Sequence, residues 1–303
     1  MKYFKPLLVF VLGSLILLFS QTLQTLSAIN LATQLVLFGL VVCWPIWKTG
    51  RLSYVDIGWP MGLACIGILT LLFSNGYIWR VRAIGSIYLF IGLRMGLGAL
   101  QLWRKGYMKK EFPRYQYQRR RWERAGKTNV PLAMQVDALA QGLANASFLA
   151  MPAFIIGSNP APQFSVLEMV GLVLWILAYG FESLADAQKL RFLRNMKAAG
   201  ERNKVCDVGL WKYSRHPNYF GEWMVWNALV VAAIPSYLAL QSSEFLPVWI
   251  ALGLGLLFVS RIMYLSLVYL TGAVPSEYYS LQKRPDYAAY KERVNMFFPG
   301  PPK

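Results

Sequence analysis

The sequence predicts an all-α integral membrane bundle, and three observations carry that prediction. Of its 303 residues, 56% are hydrophobic and only 15% are charged, too little charge for a soluble domain of this length. Apolar runs long enough to cross a bilayer recur along the whole chain. The basic residues fall on alternate connections between those runs, the charge pattern of a multi-pass protein.

About eight transmembrane helices are expected, at roughly 7–26, 30–47, 57–74, 77–103, 132–156, 164–185, 218–240 and 246–270. The first run does not read as a removable signal peptide, since no small-residue cleavage site follows it and a second run comes at once. With a cytoplasmic N-terminus, Lys2, Lys5, Lys48 and Arg51 lie inside. Ten more basic residues in 104–130, eight in 186–216 and five after 271 join them, which is 27 of the 31 Lys and Arg. The short opposite loops around 27–30, 157–164 and 241–245 carry none. Both termini are therefore expected on the cytoplasmic side. The formal net charge of +17 then reports orientation and contact with anionic lipid, not nucleic-acid binding.

No internal repeat or linker divides the chain, so a single membrane domain over 1–303 is expected, with 1–50 adding N-terminal spans to a region 51–303. Cys43, Cys65 and Cys206 show neither disulfide nor zinc-ligand spacing, and His216 is the sole histidine. No metal is expected. The stretch 104–130, with Arg119–Arg121 among Tyr107, Phe112, Tyr115, Tyr117 and Trp122, reads as an interfacial segment. The stretch 277–290 is too polar to cross and reads as a short helix folded back beneath the bundle.

Charged residues inside spans are costly and tend to mark function. They include Asp56, Arg94, Asp137, Glu182, Asp186, Glu222 and Arg261. Glu182 and Asp186, four apart, share one helix face and repel unless something positive or hydrogen-bond-rich lies opposite. Arg191 and Arg194 can lie near that face, and a ribose or amide would satisfy the carboxylates too. A hydrated helix end with local salt bridges accounts for them equally well.

The densest polar and aromatic stretch is 213–223. Pro217 suits a first helical turn, and a helix starting there aims free N–H groups at the preceding loop, which favours an anionic group. Lys212 and Arg215 add cationic donors. Asn218 and Glu222 share a face, and Gly221 permits close approach of a ligand or a helix. His216 alone would read as a helix cap.

Gly209 to Glu222 resembles the signature of the steroid 5-alpha-reductase C-terminal family, in its bacterial branch of membrane proteins. Phe181 to Gln188, Tyr54 to Trp59, and the stretch from Arg284-Pro285-Asp286-Tyr287 to Pro299 are similar to that branch as well. The resemblance covers roughly 50–300. A related superfamily of membrane methyltransferases shares the Arg-His-Pro-x-Tyr core, whereas Asn218 followed by Glu222 is the reductase pattern.

The resemblance implies an enzyme holding NADPH in a polar cavity open to the cytoplasm. Glu182, Asp186 and Arg191 would line the cofactor from one span. Tyr213, Arg215, His216, Asn218 and Glu222 would hold it from the next, with Asn218 and Glu222 nearest the nicotinamide. Glu277, Arg284, Tyr287 and Tyr290 would close over the adenosine phosphate side. Hydride would pass to the conjugated C=C bond of an enone lipid or 3-oxo-steroid-like substrate entering from the bilayer. The enolate oxygen that develops needs a donor. Asp56 stands where the family has a catalytic glutamate, and Arg94 fits the arginine after the family's tyrosine. The tyrosine position itself reads Ile91, with Tyr88 nearly one turn earlier. The implied location is a bacterial inner membrane. Alternatives are an S-adenosylmethionine-dependent methyltransferase of the isoprenylcysteine carboxyl methyltransferase type and a non-catalytic lipid-binding membrane protein.

Overall fold

The computed structural model describes residues 2–303, and all regular elements among them are helices. Helix α1 is Lys5–Phe19, and α2 (Gln24–Leu37) runs through a π turn, Phe38–Cys43, into α3 (Trp44–Thr49). Then come α4 (Val55–Phe73), α5 (Ile78–Arg104), α6 (Pro113–Arg124), α7 (Val130–Ala146) and α8 (Met151–Ser158). The remainder is α9 (Val166–Ala198), α10 (Pro217–Ala239), α11 (Leu246–Leu265), α12 (Ala273–Lys283) and α13 (Tyr287–Arg293).

Among the described residues, seven helical stretches are long and apolar enough to cross a membrane: Gln24–Thr49, Leu52–Phe73, Ile78–Arg104, Val130–Ser158, Val166–Ala198, Pro217–Ser242 and Leu246–Lys283. The chain is a multi-pass membrane protein of all-α class. The first of the eight apolar runs became α1, whose 15 residues span only about 22 Å at 1.5 Å per residue, short of a hydrocarbon core of about 30 Å. Two compact units make up the fold. One holds the chain up to Met169 with Val230–Val259, the other Val170–Leu229 with Ser260–Lys303.

In the first unit, α4 and α5 pack through glycines. A Cβ on Gly67 would lie 2.5 Å from the Leu89 amide nitrogen and 2.6 Å from the Gly85 carbonyl, and one on Gly92 would collide with Ala64. Only hydrogen lets the two backbones come so close. The interfacial segment forms α6, whose Tyr115 and Trp122 are buried against Phe38, Val42 and Leu52. Just before it, the Glu111 carboxylate accepts from the Leu52 and Ser53 amides at 2.8 and 3.0 Å and from Ser53 Oγ at 2.6 Å. A similar cap precedes α2, where Glu244 accepts from Ser20 Oγ at 2.7 Å and from the Gln21 and Thr22 amides at 2.9 Å.

Inside this unit lies a buried amide cluster. Gln34 Nε2 donates to Asn30 Oδ1 (3.1 Å) and the Gly62 carbonyl (2.9 Å), Asn30 Nδ2 to the Asn145 carbonyl (3.1 Å), and Asn145 Nδ2 to the Trp59 carbonyl (2.9 Å). Such bonds tie α2, α4 and α7 together where lipid offers no alternative partner.

The unit's irregular connection, 159–165, is held by Arg80. Its Nε donates to Glu168 Oε1 at 2.6 Å and its Nη2 to Oε2 at 2.9 Å. The remaining guanidinium hydrogens go to the carbonyls of Asn159, Ala161 and Gln163. Both partners are 1% exposed. Removing one charge strands the other in a dry site, so Glu168→Ala should cost about 3–5 kcal/mol. The thermal unfolding of the detergent-solubilised protein measures it, and replacing both residues by apolar ones should recover part of the loss.

Candidate functional site

The 213–223 motif and most of the residues expected around it fall in the second unit. Gly209 adopts a positive φ of 55°, which glycine tolerates without strain. The turn it makes carries the Leu210 amide to Gln188 Oε1 at 2.8 Å and lets Trp211 Nε1 donate to the Ala185 carbonyl at 2.9 Å. The loop is thus docked on α9 before α10 begins. Helix α10 starts at Pro217 as expected, with the Phe220 amide donating to the His216 carbonyl at 3.1 Å. The His216 amide donates to Ser214 Oγ at 3.1 Å, and that hydroxyl donates to the Phe297 carbonyl at 2.9 Å.

Arg215 is the centre of this arrangement. Its Nε donates to Glu277 Oε1 at 2.6 Å and its Nη2 to Oε2 at 3.2 Å. Nη1 donates to the Lys291 carbonyl at 2.9 Å and to the Val294 carbonyl. Both residues of the pair are buried. Arg215 and Glu277, both expected to contact the cofactor, bond to each other, and together they fasten the loop to α12 and to the C-terminal stretch. Tyr287 and Tyr290 are the residues expected over the adenosine phosphate side. Both are buried in a cluster with Val294, and Tyr290 Oη donates to the Trp211 carbonyl at 2.5 Å. Burial, the largest influence on each phenol, pushes their pKa values up.

The His216 ring stacks on Tyr219, with centroids 5.3 Å apart and planes within 2°. Its Nε2 lies 3.3 Å from Glu277 Oε1, off the direction of a good hydrogen bond. Burial lowers the imidazole pKa, with the Glu277 contact working in the opposite sense. The ring is held neutral.

On the facing surfaces of α9 and α10, Asn218 Nδ2 donates to Asp186 Oδ1 at 3.1 Å. Gly221 serves helix packing, because a Cβ there would sit 2.9 Å from the backbone nitrogen and Cα of Glu182. Glu182, Asp186, Asn218 and Glu222 are half-buried, while Arg191 and Tyr213 are exposed. Asn218 Oδ1 is buried and accepts no hydrogen bond from the protein. The side chains at this place are thus mostly acceptors, suited to a ligand that donates. Arg284 donates to Ser280 Oγ at 2.7 Å. A cleft of about 350 Å³ opens among the end of α9, the 201–207 segment and α13, and of the expected residues only Tyr290 lines it.

The three residues expected to act on substrate belong to the first unit. Asp56 is ion-paired with Arg114 and accepts from Tyr115 Oη at 2.5 Å. Tyr88 is buried and donates to the Leu149 carbonyl at 2.7 Å. In this structure Asp56 accepts hydrogen bonds, and the Tyr88 proton goes to the Leu149 carbonyl. Arg94 is an exposed residue of α5. Among the described residues no group of three or more His, Cys, Asp or Glu is placed to hold a metal ion.

Sequence reasoning missed Gln188, Trp211 and Ser214, which dock the loop, and the carbonyls of 291–297 that receive it. Gly209 with a tryptophan two residues later was the one local hint.

The chain belongs to the family described as protein of unknown function DUF1295, which matches residues 43–294. That family is loosely related to the membrane superfamily of steroid 5-alpha-reductases and isoprenylcysteine methyltransferases. No curated protein and no solved structure matches the chain.

A lowered His216 pKa means that the unfolded chain takes up this proton at a higher pH than the folded one. Stability therefore rises with pH across the window. The neutral ring's contribution is complete above the ordinary histidine value of 6.5 and is lost as the pH falls below it. Unfolding temperature should drop on acidification through this range, and His216→Gln should flatten that slope. An identical slope in the variant would assign the effect to other groups.

Proposed function

We propose that the chain is an NADPH-dependent membrane reductase acting on the conjugated C=C bond of a lipophilic enone. The reading rests on Asn218, whose Nδ2 is spent on Asp186 while its buried Oδ1 has no protein donor. A buried carbonyl left unmatched is costly, and a ligand amide or hydroxyl would satisfy it. Glu182, Asp186 and Glu222 extend the same acceptor character along α9 and α10. A nicotinamide carboxamide and ribose hydroxyls are the donors that fit.

When bound, NADPH supplies the hydride. The protein's part is to hold and orient. Asn218 and Glu222 would hold the nicotinamide end, and Glu182 and Asp186 the ribose hydroxyls. Arg215 and Glu277 position these groups by fixing the loop from which α10 starts. The developing enolate oxygen calls for a donor. Asp56 can serve only by leaving Arg114 and Tyr115, and Tyr88 only by giving up the Leu149 carbonyl.

NADPH at a hundredfold excess over Kd should stabilise the purified protein by about 2.7 kcal/mol, read as a rise in unfolding temperature. Asn218→Ala should weaken binding roughly tenfold, the value of one such hydrogen bond, with Glu222→Ala acting in the same direction. Arg215→Gln should instead lower the ligand-free unfolding temperature. Stabilisation by S-adenosylmethionine and not by NADPH would replace this reading with a methyltransferase. A protein indifferent to both would be a lipid-binding module.

A further inference from the structure

The stretch from α2 through the π turn into α3 has two unlike sides. Phe38, Val42 and Ile46, four apart, are buried in the core of the first unit. Val36, Leu40 and Trp44, two positions out of step with them, are exposed, and so is Trp47 three further on. In a spanning helix an apolar exposed side is ordinary. What sits at its end is less so. The Trp44 and Trp47 rings meet edge to face with centroids 5.4 Å apart, and Lys48 Nζ stands 5.0 and 5.1 Å from the two centroids. Indole faces attract an ammonium and hold it in place without neutralising it.

Two residues later the helix ends at Gly50, left-handed with a φ of 64°, and a Cβ there would meet nothing within 4 Å. Two guanidinium groups flank this open turn. Arg51 follows it in the chain and donates from Nη1 to the Lys109 carbonyl at 2.7 Å and from Nη2 to Tyr54 Oη at 3.5 Å. Arg119, from α6, donates from Nη2 to the Gly50 carbonyl itself and to Glu111 Oε2 at 3.2 Å. The Glu111 oxygens also take the Leu52 and Ser53 amides. Among the described residues neither Lys48 nor Arg51 pairs with a carboxylate. Three cations around one turn, against one carboxylate already committed, leave positive charge where the span Gln24–Thr49 reaches the membrane surface.

We propose that this corner binds one phospholipid with a net negative headgroup. The phosphoryl oxygens lie over the Gly50 turn, with Lys48 and Arg51 as the cations that meet them. An acyl chain runs back along Trp44, Leu40 and Val36. A soluble anion would answer the charge and leave the apolar track bare, and a zwitterionic lipid would bring an ammonium that the same cations repel. The order of the parts fits as well: the two indoles stand between charge and hydrocarbon, the level at which tryptophan collects in a bilayer. Basic residues beside any span attract anionic lipid. Here the indole-held lysine and the carbonyl-held arginine turn that attraction into a fixed site. The site lies within the first unit and goes beyond the reductase reading, on which it does not depend.

The test uses the intact protein, purified in detergent and stripped of lipid. Native mass spectrometry should show phosphatidylglycerol retained where phosphatidylcholine with the same chains is lost. Lys48→Gln leaves every hydrogen bond of the turn in place and should weaken phosphatidylglycerol binding about fivefold, the worth of one basic residue at an anionic surface. Lys48→Arg should keep it. Adding Arg51→Gln to Lys48→Gln should deepen the loss to roughly twenty-five-fold. Lys105→Gln with Arg124→Gln removes the same charge from exposed positions of the same unit and should leave binding unchanged. An equal loss in that control pair would overturn the site in favour of diffuse attraction, and equal retention of phosphatidylcholine would overturn its selectivity for charge. If the face instead seats a second copy of the chain, Trp44→Cys will cross-link into a dimer whose yield added phosphatidylglycerol does not lower, and that result also sinks the proposal.

Discussion

The buried pair of Arg215 with Glu277 decides what the rest of the second unit can be. Two charges taken out of water cost several kcal/mol each, and an apolar pair of equal volume would avoid that cost. It could not, however, do what the guanidinium does. Arg215 spends its hydrogens on both carboxylate oxygens and on the carbonyls of Lys291 and Val294. Its own amide donates to the Asn295 carbonyl at 2.9 Å. One side chain thereby satisfies the irregular backbone after α13 and fixes the residue two before α10. The direction of Asn218, and with it the acceptor character of the site, follows from that anchorage.

The first unit solves a similar problem in the same way. Arg80 grips Glu168 through two nitrogens and gives its other hydrogens to three carbonyls of the segment after α8. In both units a non-helical stretch next to an apolar helix carries carbonyls that its own turn cannot satisfy. Near a bilayer such groups have little water to fall back on. Arginine suits the task because its planar fork serves a carboxylate and several carbonyls at once. These two pairs are structural in origin, and their burial alone would be a poor guide to catalysis.

That distinction separates what could be read from residue order from what could not. The spans were legible because an apolar run of bilayer length is rare outside a membrane. The start of α10 was legible because Pro217 acts locally, and so was the shared face of Asn218 and Glu222. The partners of the two arginines were not, since they lie 88 and 62 residues away and no periodicity links such positions. Arg215 in a polar motif reads as a ligand donor, and its fastening contacts with Glu277 and the 291–294 carbonyls are invisible in residue order. Tyr287 and Tyr290 are three apart, a spacing that puts both on one helix face. The apolar surroundings of that face, which include Val294 and Val205, became visible only once the chain had folded back. The partner of Asp56 was hidden for a further reason: Arg114 sits among many arginines, and nothing local singles it out.

The chemical character of the side chains in the second unit bears on which ligand it accommodates. Around the start of α10 the site offers acceptors: Asn218 Oδ1 and the carboxylates of Glu182, Asp186 and Glu222. A ligand that only accepts, such as a simple phosphate, would leave Asn218 Oδ1 unmatched. An amide or hydroxyl donor would match it, and carboxylates close by on α9 and α10 make the same place unfavourable for an anion. That buried acceptor therefore weighs toward a ligand that brings donors over one that brings negative charge.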